Sequence, residues 1–262
     1  YYVVRAKAAD TDQLPALMWI HGGPIGAWGD GWHWRWNPVV AALQGYAVVL
    51  PNPRGSTGFG RPFVEGIWGN VWGAQCYEDL MQLADALELR LDIDSTHMAA
   101  MGGSFGGYMT NWIGGQTGRF ACLVTHASIV SMSTFHGVTD NPPWWRHMMG
   151  LDPYTERPEF DRYAPLVYAQ NWASPVLIIH GQLDYRCPVG EALILFEALQ
   201  SHGVDSEMLI FPDENHWILK PRNIVAWYEH VFEFMARHTR AKPIAQERSE
   251  GDTASEPGDA SP

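Results

Sequence analysis

The sequence predicts an α/β domain: a mostly parallel β-sheet with helices on both faces. Three observations predict it. Short apolar runs of strand length recur along the 262 residues, separated by stretches of helical periodicity. The runs are near-continuously apolar, as strands buried on both faces are, rather than alternating. Polar or glycine-rich turns directly follow several runs, at the strand ends where such sheets gather their sites. Apolar residues make up 46% of the chain, enough for one sizeable core.

The elements follow in order. Tyr1-Tyr2-Val3-Val4 begins inside a strand and without Met, so the natural N-terminus is expected to be missing. Residues 17–20 form an apolar strand ending in His21-Gly22-Gly23-Pro24. The loop over 25–37 carries Trp28, Trp32, Trp34 and Trp36, which suggests an aromatic-lined cavity. A helix is predicted over 38–44, with Pro38 in its first turn and Gly45 just past its end. A strand over 46–50 runs into the turn-rich loop 51–60. Residues 75–91 read as an amphipathic helix with Leu80, Leu83, Ala84, Leu87 and Leu91 on one face. A strand over 96–101 enters Gly102-Gly103-Ser104-Phe105-Gly106, and a helix follows.

Residues 121–126 form a further strand. The segment 129–173 breaks the rhythm; it is rich in Pro, Trp, Tyr and Met, with short helices at most, and excursions of this kind rim sites. Alternation resumes with a strand over 176–180, a helix over 189–202, a strand over 207–211 and a last helix over 221–238. The domain therefore spans 1–240, and the polar, acidic tail 241–262 is expected to be disordered.

Composition excludes several functions. The net charge is −12 and no Lys/Arg stripe exists, which argues against nucleic-acid binding. No transmembrane run and no signal peptide is present, so no membrane partner is expected. Three cysteines cannot build a disulfide framework, and Cys122 and Cys187 read as packed thiols. His126, His136, His147 and Asp140 match no standard metal-ligand spacing, so neither metal nor other cofactor is expected.

Ser104 carries the chemistry. A serine at a strand-to-helix turn between small residues is the nucleophile-elbow pattern, and a Cβ at Gly102 or Gly106 would clash across so tight a bend. A serine hydroxyl is a poor nucleophile. It needs a base to take its proton and an acid to hold that base. Asp184 and His216 each follow an apolar run and complete the chain order Ser, Asp, His of the α/β-hydrolase layout. Acyl transfer also needs fixed N–H donors for the developing oxyanion. Pro24 has none, so the N–H groups of Gly23 and Phe105 are the expected pair, with His21 bracing the loop. Arg54 reads as a structural arginine tying loops together.

With these residues assembled, the chain resembles the catalytic domain of the prolyl oligopeptidase family of serine peptidases. The resemblance rests on Gly102-Gly103-Ser104-Phe105-Gly106-Gly107-Tyr108-Met109, on His21-Gly22-Gly23-Pro24 and on Asn52-Pro53-Arg54-Gly55-Ser56-Thr57-Gly58-Phe59-Gly60. The last is similar to the acylaminoacyl peptidase branch. The stretches 72–79, 180–188 and 213–221 resemble dipeptidyl peptidase V relatives. The resemblance covers about residues 15–238. It implies an α/β-hydrolase fold, a Ser104–His216–Asp184 triad without metal, and cleavage of oligopeptides. It also implies an N-terminal β-propeller in the same full-length protein, which this chain lacks. Phe105, Met132, Trp144 and Trp145 match places that line the first specificity pocket in relatives, which implies an apolar residue before the cut bond. A carboxylesterase shares fold and triad and stays open as the alternative, and a non-catalytic scaffold is a third class.

Overall fold

The computed structural model describes residues 1–6 and 13–244. Seven strands form one sheet: β1 (Tyr2–Val4), β2 (Leu14–Ile20), β3 (Ala47–Leu50), β4 (Ile93–Gly103), β5 (Cys122–His126), β6 (Val176–Gly181) and β7 (Ser206–Phe211). Their spatial order is β1-β3-β2-β4-β5-β6-β7. β1 pairs antiparallel with β3, and every other pairing is parallel.

Strand side chains alternate between two cores because the pleat has a period of two. Ala16, Met18 and Ile20 of β2 enter one core while Leu17 and Trp19 enter the other. Val176 and Ile178 of β6 divide from Leu177 and Ile179 in the same way. Both faces are therefore apolar, and each needs a helical cover.

Two helices cover one face. They are α1 (Pro38–Leu43) and α9 (Pro221–Thr239). The Asn37 side chain caps α1 by accepting from the Val39 N–H at 2.9 Å, and Pro38 starts it. α9 presents Trp227, Val231, Phe234 and Met235, spaced for one helical stripe. Each such side chain, once buried, contributes about 1.5–3 kcal/mol.

The other face carries α3 (Tyr77–Glu88), α4 (Phe105–Gln116) and α8 (Gly190–Ser201). α3 starts after one wider, π-type turn at Trp72–Cys76 and ends sooner than the periodicity predicts. Leu91 lies beyond that end and is 90% exposed, because the chain turns there to enter β4. A short helix α2 (Arg61–Glu65) follows Gly60. The excursion holds α5 (Met132–Val138), α6 (Pro142–Met149), α7 (Arg157–Phe160) and a 3₁₀ segment, Pro165–Asn171. It packs onto the α4 side of the sheet through Phe135, Trp145, Met148 and Phe160.

Packed structure continues past residue 240. Ala241 is buried, and the Ile244 N–H donates to the Leu43 carbonyl at 3.0 Å. The remainder of the expected disordered tail, 245–262, lies outside the described residues.

Candidate active site

β4 is central, and its C-terminal end feeds straight into α4 through Ser104. The turn is held on all sides. A Cβ on Gly102 would stand 2.5 Å from the Gly106 carbonyl, and one on Gly106 would stand 2.2 Å from the Ile20 carbonyl oxygen. Ser104 itself has φ 57° and ψ −122°, a conformation that side chains rarely adopt. Its N–H donates to the His126 carbonyl at 2.9 Å, which ties the elbow to β5. Ser104 Oγ makes no hydrogen bond among the described residues. It faces a cavity of about 500 Å³ that His216 also lines.

Asp184 follows β6 and is 2% exposed. One carboxylate oxygen, Oδ1, accepts from the Arg186 and Cys187 backbone N–H groups, both at 2.9 Å. The other, Oδ2, accepts from His216 Nδ1 at 2.8 Å. His180 Nε2 stands 3.4 Å from the same oxygen while donating to the Cys187 carbonyl at 2.6 Å. Burial alone would raise the Asp184 carboxyl, but the hydrogen bonds from His180 and His216 outweigh it and hold it well below the usual carboxylate range. Asp184 is therefore ionised, and His216 must carry its Nδ1 proton toward it. That tautomer leaves Nε2 with a free lone pair.

The acid and base loops are locked together. Leu183 N–H donates to the Glu214 carbonyl at 2.9 Å, and Gln182 N–H to the Phe211 carbonyl at 2.9 Å. The buried Glu214 carboxylate accepts from the Leu219 and Lys220 N–H groups and from Asn223 Nδ2. The loop bearing His216 is thus closed on itself by its own carboxylate.

His21, Gly22 and Gly23 also line the cavity. His21 Nε2 lies 2.9 Å from Ser56 Oγ, consistent with the bracing role expected of it. Phe105 is the first residue of α4, so its N–H has no intrahelical acceptor and stays available. Arg54 donates to Asp79, Glu78 and the Gln75 carbonyl, a loop tie as expected. Cys122 and Cys187 are buried thiols; burial pushes Cys122 up to about 12 and Cys187 well above its ordinary value.

Phe105, Met132, Trp144 and Trp145 are not among the residues that line this cavity. Phe105 stacks edge-on against Trp72 at 5.2 Å, and Trp145 against Trp72 at 5.6 Å and Phe135 at 4.9 Å. These rings fill one another's space beneath the elbow. The tryptophans that do line the cavity are Trp28, Trp32, Trp36 and Trp217. The sequence suggests an aromatic-lined cavity from the first three together with Trp34, which does not line it, and does not single out Trp217 or Arg35 as lining residues. His126, weighed in the sequence only as a metal ligand, is 2% exposed, and its two ring nitrogens have no hydrogen-bond partner among the described residues. His180, four residues before Asp184 at the end of a strand, had a readable signal in that spacing.

The chain is similar to known proteins. A model described as the prolyl oligopeptidase family matches residues 32–242. Dipeptidyl-peptidase 5 of Schizosaccharomyces pombe is 37% identical over 244 residues, 91% of this chain and 35% of that protein. Dipeptidyl-peptidase 5 of Aspergillus fumigatus is 41% identical over 236 residues, 87% of this chain and 32% of that protein. The chain thus spans about a third of the length of these relatives. The solved acylaminoacyl peptidase of Pyrococcus horikoshii superposes with a TM-score of 0.83 at 28% identity, covering 88% of this chain and 38% of that one. Sheet order, elbow and similarity agree: the chain belongs to the prolyl oligopeptidase family of serine peptidases.

Proposed function

We propose that this chain is the hydrolase part of a peptidase that cleaves short peptides through an acyl-enzyme on Ser104. One observation carries the reading. An ionised, buried Asp184 holds His216 at 2.8 Å on the wall of the cavity that a backbone-strained serine enters.

The steps follow from the geometry. His216 Nε2 takes the Ser104 proton as Oγ attacks the scissile carbonyl carbon. The C=O π pair moves onto oxygen, and the N–H groups of Gly23 and Phe105 stabilise that oxyanion. Asp184 stabilises the imidazolium, which then protonates the leaving amine as the C–N bond breaks. Water, deprotonated by the same base, releases the acyl group and restores Ser104. A preference for an apolar residue before the cut is carried by the family resemblance alone, since Phe105, Met132, Trp144 and Trp145 pack in the core and do not line the cavity. The names of the relatives support release of dipeptides or of an acylated residue; the family resemblance, with the chain spanning about a third of those relatives, supports a β-propeller as the accompanying domain.

A fluorophosphonate probe should label Ser104 covalently, and the Asp184→Asn chain should label far more slowly because His216 loses its proper tautomer. Apolar dipeptide anilides should turn over in preference to simple aryl esters. Labelling elsewhere, or ester turnover with no peptide turnover, would replace this reading by the carboxylesterase one.

A further inference from the structure

The cavity wall has an unbalanced charge. Two arginines line it, Arg35 and Arg186, and no Asp or Glu does so among the described residues. Arg186 is neutralised by Asp140, with Nε–Oδ1 at 2.6 Å. Arg35 has no carboxylate partner among the described residues. Its guanidinium instead lies against two adjoining indoles, 4.0 Å from the Trp217 ring centre and 5.1 Å from that of Trp36, the rings being 6.0 Å apart. Its Nε is buried without a hydrogen-bond partner. Desolvation lowers the affinity of Arg35 for its proton, and its charge helps depress the neighbouring His33 after burial of that ring. A half-buried guanidinium without a counter-charge is unfavourable unless a ligand supplies one.

Arg35 is also rigidly placed. Its N–H donates to His33 Nδ1 at 3.2 Å, and its carbonyl accepts from Tyr228 Oη at 2.8 Å. Trp217 adjoins His216, with ring centres 5.1 Å apart. His216, the proton donor of the leaving amine in this reading, Trp217 and Arg35 therefore touch in turn along the cavity lining. One or two peptide residues, at ~3.5 Å each, cover such a span.

We propose that Arg35 is a specificity-determining residue that binds a carboxylate on the leaving side of the cut bond, its guanidinium backed by Trp36 and Trp217. This rests on the peptidase reading for its direction, not for its charge argument. The planar fork suits a bidentate carboxylate, and the adjoining indoles exclude water from the pair. The ligand class is a short peptide whose leaving portion ends in a free α-carboxylate or carries an acidic side chain.

The test uses a peptide with an apolar residue before the cut and one residue after it, as free acid and as C-terminal amide. A second amide carries Asp as the leaving residue, and a third carries Asp on the acyl side. Binding to the Ser104→Ala chain is read by tryptophan fluorescence, and turnover by the unaltered chain is followed separately. The free acid should bind about tenfold or more tightly than the plain amide, the gain of one charge-assisted pair. Arg35→Gln should remove that ratio. Arg35→Lys, which keeps the charge without the fork, should reduce it several-fold and serves if the Gln variant does not fold. Tighter binding of the leaving-side Asp amide alone would assign the site to side chains rather than chain ends. Equal binding of all four peptides, a gain only from acyl-side Asp, or a ratio unchanged in either folded variant overturns the proposal. Selective binding without cleavage would instead sink the peptidase reading and leave the carboxylate site standing.

Discussion

Ser104 stores backbone strain at the one place the chemistry needs it. A non-glycine residue at φ 57° and ψ −122° costs about 1–3 kcal/mol, and the surrounding turn enforces it. Ser104→Ala keeps the Cβ, so it should lose ~10⁴-fold or more of turnover with an unchanged melting temperature. Ser104→Gly should be equally inactive yet more stable by about 1 kcal/mol, since relief of strain exceeds the added chain entropy. Thermal unfolding of the two variants checks this; a Gly variant no more stable than the Ala one contradicts it. Ser104, Asp184 and His216 were legible in the sequence because each sits where an apolar strand runs into a polar turn. Arg35 and His126 were not. Their character comes from missing partners, and an absence of partners has no sequence pattern.

At the scale of elements, the elbow works because β4, α4 and β2 approach more closely than any side chain permits. Gly106→Ala would drive a methyl into the Ile20 carbonyl oxygen, so β2 and α4 must separate. A loss of about 3 kcal/mol in urea unfolding is expected, with a fall in fluorophosphonate labelling from the displaced elbow. A loss below 0.5 kcal/mol would show the turn to be softer than this geometry. The buried strands and long helices were readable from period and length. The end of α3 was not, because Leu89 and Leu91 continue the apolar pattern after the backbone has turned away. The excursion resisted for another reason: its short helices are fixed by tertiary packing of Phe135, Trp145 and Phe160, not by local propensity.

Across the whole molecule, two buried titratable groups set opposite pH dependences. Burial, reinforced by His180 and His216 and opposed by Asp184, lowers His126 from 6.5 to about 3. The unfolded chain binds that proton first, so its contribution is complete above pH 6.5 and is lost as pH falls toward 3. Burial raises Glu191 from 4.5 to about 7, although the Val130 and Ser131 N–H groups that bind its carboxylate pull the other way. Its contribution is complete below pH 4.5 and is lost as pH rises to 7. The His126→Leu chain should therefore show a flatter acid limb in melting temperature against pH. Glu191→Gln should flatten the interval from 4.5 to 7. Parallel curves for variant and parent would show that neither group changes protonation on folding.

The base stands at the far margin of the sheet. β7 is one of its two edge strands, and His216 follows it, ahead of α9. A chain emerging from the ribosome displays its alcohol long before it owns an imidazole to awaken it. With the proposed triad, reactivity would be withheld until the loop after β7 has been made.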